Sequence, residues 1–69
     1  MPNPGDHIKA LRKERALRQQ DVADRGDVPR STVCAVEGGT EPKAGTLARI
    51  GDGLDLNDEE LGEAVRRWR

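Results

Sequence analysis

The sequence predicts an all-α fold of five short helices. Three observations carry that prediction. Apolar residues recur at spacings of three and four, as in Ile8/Leu11, Leu47/Ile50/Leu54 and Leu61/Ala64/Val65/Trp68. Such spacing lines one face of a helix with 3.6 residues per turn. Helix-start signals stand at Asn3-Pro4-Gly5-Asp6 and at Asn57-Asp58-Glu59-Glu60. No stretch alternates apolar and polar residues as a half-buried strand does, and no repeat or low-complexity tract is present.

The first helix is expected from about Pro4 to Arg15. Asn3 is a good N-cap, Pro4 suits the first helical position and Asp6 falls in the first turn. The second runs from Gln19 to Arg25 with Val22 and Ala23 inward, and either Gly26 or Asp27 takes the left-handed residue that ends it. Val28 links it to a third helix, Arg30 to Glu37, with Val33 and Val36 inward and Gly38-Gly39 as its stop. The fourth spans roughly Lys43 to Gly53. Its glycines each cost about 1 kcal/mol in a helix interior, so it depends on packing and uses them for close approach. The C-terminal helix is expected over about 58–68, with acids near its positive end and Arg66, Arg67 and Arg69 in its last turn.

Sixty-nine residues allow a single domain. A chain of that size buries only about 60% of the surface exposed by its unfolded form, so its core is marginal. Leu, Ile, Val and Phe make up just under a fifth of the chain, but 12 basic residues nearly cancel 13 acidic ones, which favours a small folded domain over disorder. One cysteine, Cys34, leaves no internal disulfide and no multi-cysteine zinc site, and fits a reducing, cytoplasmic setting. His7, the one histidine, lies far from Cys34 in sequence, so no catalytic arrangement can be assembled. The expectation is a protein that is not an enzyme, needs no cofactor or metal, and carries neither a membrane span nor a secretory signal.

Charge is uneven along the chain. Residues 1–35 carry seven Lys/Arg against five Asp/Glu, and residues 36–69 carry five against eight. The segment from Asp52 to Glu63 holds six acids and no base. A basic half can approach phosphates while the acidic segment faces away from them.

The order of these segments resembles the XRE-type helix-turn-helix family, the relatives of lambda repressor and Cro. The residues that carry the resemblance are Ile8-Lys9-Ala10-Leu11-Arg12, Leu17-Arg18-Gln19-Gln20-Asp21-Val22-Ala23, Val28 through Gly39, Pro42, Thr46-Leu47, Leu54-Asp55-Leu56 and Glu59-Glu60-Leu61. Together they cover about fifty residues of the chain. The sequence departs from the family at Gly26, where a long apolar residue is usual, and at Asp27, where glycine is usual. It also has Arg18 and Pro29 in place of hydroxyl caps, and a loop from Gly39 to Pro42 that is one residue short.

The resemblance implies a lambda-repressor-like domain whose helix-turn-helix covers about 18–37, with the helix Arg30–Glu37 in the major groove of duplex DNA. Arg30 is then the candidate for base readout, since a guanidinium bonds bidentately to guanine. Ser31 would meet a base edge or a phosphate, Thr32 a phosphate, and Ala35 a thymine methyl. Gln19 and Arg18 at the start of the preceding helix would hold phosphate, with Thr40 and Lys43 as further phosphate candidates. Arg12 and Glu37 would form a structural ion pair that locks the recognition helix to the first helix. Cys34 reads as a small side chain filling a serine site, and His7 as a surface residue of the first turn. Trp68 either caps the core of one chain or joins Leu61 and Val65 in contact with a second copy. The resulting reading is a bacterial transcriptional regulator, dimeric on a palindromic site. The alternatives are a protein-interaction module that keeps the fold without binding DNA, or an antitoxin component with a protein partner.

Overall fold

The computed structural model describes residues 3–68. Five helices follow in order: α1 (Pro4–Glu14), α2 (Gln19–Gly26), α3 (Arg30–Glu37), α4 (Ala44–Gly53) and α5 (Asp58–Arg66). The described residues contain helices and turns only. α5 stops at Arg66, short of the expected span, and Trp68 lies in the turn that follows. Arg69, expected in the last helical turn, lies outside the described residues.

The strongest local signals form complete caps. The Asn3 side chain accepts from the Asp6 N–H at 3.1 Å, and the Asp6 carboxylate accepts from the Asn3 N–H at 3.2 Å. Asn57 and Glu60 repeat that reciprocal arrangement at 2.8 and 3.2 Å. Each box satisfies two backbone donors that a helix start would otherwise leave orphaned.

Four helix ends share one closure. Ala16, Asp27, Gly39 and Asp55 take positive φ angles of 54, 57, 106 and 58°. In each case the next residue's N–H returns to a carbonyl five positions back, from Leu17 to Arg12, Val28 to Ala23, Thr40 to Ala35 and Leu56 to Gly51. That is the hydrogen bond of a Schellman motif. Three of the returning residues, Leu17, Val28 and Leu56, then pack against the core. Between the two candidates for the α2 stop, the structure selects Asp27, whereas Gly26 is the last helical residue.

The core is formed by Ile8, Leu11, Val22, Ala23, Val33, Val36, Leu47, Ile50, Leu54 and Ala64. α2 packs on α3 and α4, α1 on α3, and α5 across α4 and α1. α2 and α4 approach through glycine. A Cβ at Gly26 would collide with the Arg49 carbonyl, and one at Gly53 would lie 2.5 Å from the Val22 carbonyl. Glycine is therefore required at position 26, because α4 backbone occupies the space a side chain would need.

The apolar stripe of α5 divides. Ala64 is fully buried and Leu61 lies against Gly51 in the α4–α5 seam, while Val65 is 36% exposed. Trp68 is half-buried against the core, and its indole N–H is buried without an acceptor among the described residues.

Candidate nucleic-acid interface

α3 is anchored by Val33, Val36 and the terminal Glu37, and displays its other flank. Val33 and Val36 are buried, whereas Arg30, Ser31, Cys34 and Ala35 are exposed. Those four stand at positions i, i+1, i+4 and i+5 of one helix, so they share a face. Thr32 is half-buried at its edge. The turn from Asp27 to Pro29 fixes the entry of α3, and Pro29 is its N-cap in extended conformation without a side-chain cap. Arg49 of α4 braces the turn, donating to the Asp27 carbonyl at 3.2 Å.

Two concave surfaces flank this face. One is an open cleft lined by Arg12, Arg18, Gln19, Gln20 and Arg30. The other runs between α3 and the following loop, past Ser31, Thr32, Ala35, Thr40, Lys43 and Thr46. The residues singled out from the resemblance therefore divide between two neighbouring hollows, with Arg30 on the first and Ser31, Thr32 and Ala35 on the second.

Glu37, at the end of α3, ties the first hollow together. It is 6% exposed. Its carboxylate accepts from Arg12 Nε at 2.6 Å and Nη2 at 3.1 Å, and from Gln19 Nε2 at 3.2 Å. Arg12 Nη1 donates to the Leu17 carbonyl at 2.8 Å. The hydrogen bond to Glu37 raises the Arg12 pKa above its ordinary value, against the opposing effect of burial. α1, α2 and α3 thus meet at one carboxylate, and the Gln19 side chain is held by it at the first residue of α2.

The start of α2 differs from a hydroxyl-capped helix. Asp21 reaches back to accept from the Arg18 N–H at 2.8 Å, which forms half of a capping box. The same carboxylate also accepts from Arg18 Nε at 3.2 Å and Nη2 at 3.0 Å. The Arg18 guanidinium and backbone hold the Asp21 carboxyl down at about 2. The sequence reading missed Asp21 and Gln20, although Asp21 occupies the third helical position, where a reciprocal capping acid belongs.

Thr40 and Lys43 are exposed on the loop, and Lys43 is the N-cap of α4 without a side-chain cap. His7 is half-buried rather than a free surface residue. Burial, followed by the charge of Arg67, lowers its pKa from the ordinary value. No group of acidic, histidine or cysteine side chains among the described residues could hold a metal ion.

A family model described as a helix-turn-helix domain matches residues 5–69. The chain belongs to the helix-turn-helix domain family. The match takes in all five helices but for Pro4 of α1, and agrees with the XRE-type resemblance. No curated protein and no solved structure matches the chain. A helix-turn-helix domain is a DNA-binding module. No helix among the described residues is long and apolar enough to cross a membrane.

Proposed function

We propose that this helix-turn-helix protein is a sequence-specific transcriptional regulator that inserts α3 into the major groove. The exposed row Arg30, Ser31, Cys34 and Ala35 over the buried pair Val33 and Val36 carries the reading. Arg30 reads a guanine, Ser31 a base edge and Ala35 a thymine methyl. Gln19, steadied by Glu37, and Thr32, Thr40 and Lys43 meet the backbone on either side. The protein acts by binding rather than catalysis, requires no cofactor, and works in the bacterial cytoplasm on the nucleoid.

Two copies on a palindromic site would set their recognition helices about 34 Å apart, one turn of DNA. Val65 and Trp68 are the candidate contact, because Val65 is open and Trp68 is only half-buried. Leu61 contributes less, being packed on Gly51. Sedimentation of the parent and Trp68→Ala at micromolar concentration tests this. A dimeric parent and a monomeric variant support the contact, while two equally monomeric species overturn it.

A second reading, a protein-interaction module or antitoxin component, is favoured by the Arg18–Asp21 pair, which cancels a charge in the phosphate-facing cleft. Fluorescence anisotropy separates the two. The probes are duplex DNA from just upstream of the protein's own coding sequence and a scrambled duplex, each at low and physiological salt. Tight, sequence-preferring, salt-sensitive binding supports the regulator. Absence of binding to either duplex at low salt overturns it in favour of the protein partner.

A further inference from the structure

Arg18 differs from the other cations around the DNA-facing cleft. Arg30 is exposed and has no acidic partner among the ion pairs of the described residues. Arg12 is bonded to Glu37 but still lines the cleft, and three of its five N–H groups are accounted for by Glu37 and the Leu17 carbonyl. Arg18 is 82% exposed and bends back onto Asp21, which receives its backbone N–H, its Nε and its Nη2. One edge of the guanidinium, Nε with Nη2, is already on a carboxylate, so its charge is locally compensated. Arg18, the N-cap of α2, offers the helix start no side-chain acceptor, and its own N–H is taken by Asp21.

We infer that Asp21 is a specificity-determining residue: by clamping Arg18 it removes one sequence-independent phosphate contact from the start of α2, leaving discrimination to α3. The inference rests on the reading of α2 and α3 as the DNA-facing pair. Its physical basis is that phosphate contacts add affinity for every sequence equally, whereas base contacts distinguish sequences. A clamped Arg18 adds less to non-specific affinity than an unpaired arginine does. A freed Arg18 adds to it, and lowers the ratio of specific to non-specific binding.

The salt dependence of binding counts such contacts. Each phosphate neutralised on duplex DNA contributes about 0.9 to the slope of log affinity against log salt. The experiment measures that slope by anisotropy on a mixed-sequence duplex for the parent, Arg18→Ala, Asp21→Asn and the double variant. Asparagine keeps an oxygen that can accept the Arg18 N–H, so the start of α2 retains its acceptor. The expected result is equal slopes for the parent and Arg18→Ala, a slope steeper by about one for Asp21→Asn, and a return to the parent slope in the double variant. An Arg18→Ala slope shallower by about one, with Asp21 intact, overturns the inference, because Arg18 then already holds a phosphate. A steeper slope that persists in the double variant also overturns it, since the gain would then come from the lost acid alone. Failure of all four proteins to bind the duplex contradicts the DNA reading itself, and the inference falls with it. The clamp is checked without DNA by the NMR resonance of Arg18 Nε–H, which is expected to shift between parent and Asp21→Asn. An unchanged resonance overturns the inference.

Discussion

The Glu37 carboxylate takes two hydrogen bonds from the Arg12 guanidinium, at 2.6 and 3.1 Å, across 25 positions of sequence. That fork joins α1 to the end of α3, and Gln19 adds α2 to the same oxygen pair. The two partners are unequally buried, with 13% of the Arg12 side chain exposed against 4% of Glu37.

That inequality predicts an asymmetry. Arg12→Ala strands a buried carboxylate with only Gln19 as partner and is expected to cost about 3 kcal/mol. Glu37→Ala leaves an arginine that can turn towards the cleft, and is expected to cost less. The double variant should lose less than the sum of the two. Urea unfolding of the four proteins measures all three quantities.

Two glycines of α4 should respond in opposite directions. Gly53→Ala forces a Cβ onto the Val22 carbonyl, a backbone atom that cannot swing aside, and is expected to destabilise by about 2 kcal/mol. Gly45 has open space where its Cβ would go. Gly45→Ala should therefore stabilise α4 by about 0.5 kcal/mol through helix propensity. Thermal unfolding of the two variants beside the parent checks both signs.

Ala16 holds a left-handed conformation, φ 54°, in the turn after α1. Such a conformation costs a residue with a Cβ about 1 kcal/mol or more. Ala16→Gly should raise stability by about 0.5 kcal/mol, the relief of strain exceeding the added entropy of the unfolded chain. A lower melting temperature for the variant would contradict the strain.

Acid should weaken the fold in two steps. Asp21 is lowered from 3.8 to about 2, and Glu60 is lowered by the Asn57 N–H and by Arg15. Carboxylates lowered in the folded state contribute stability above their ordinary range, and that contribution is lost as pH falls through their folded values. His7 is lowered from 6.5 by burial and by Arg67. The unfolded chain therefore takes up its proton more readily, and stability falls as pH drops through the window below 6.5. Melting temperature against pH should fall below neutrality and again towards about pH 2. His7→Gln is expected to flatten the first fall, and Asp21→Asn to diminish the second.

The helices and nine of the ten core positions were legible in the sequence because they rest on local spacing. Val22, Ala23, Val33 and Val36 were read as inward, Ile8, Leu11, Leu47, Ile50 and Leu54 as apolar helix faces, and each is buried. The tenth, Ala64, was read as one member of an α5 stripe that the structure divides, because the inward angle of a terminal helix depends on what it meets. Ala16 carries no turn signature of its own, and Asp55 only the general tolerance of aspartate for the left-handed conformation. They adopt positive φ because Leu17 and Leu56 are drawn back to the core, a tertiary cause. In the proposed DNA-facing region, the outward row of α3 followed from the inward pair Val33 and Val36, and the proposed role of Arg30 from the family resemblance. The Asp21 clamp on Arg18 did not, because Arg18 was read as a free charge and its neighbour three residues on as part of a helix.

Base readout by Arg30 is tested most directly by one comparison. The parent protein enriches a duplex from a randomised pool, and the parent and Arg30→Ala are then titrated on that duplex and on a mixed-sequence one. Arg30→Ala is expected to lose about tenfold or more on the enriched duplex, within the roughly 1–3 kcal/mol of a bidentate base contact, and far less on the mixed one. Equal losses on the two duplexes would contradict the claim, since Arg30 would then contribute charge without reading sequence.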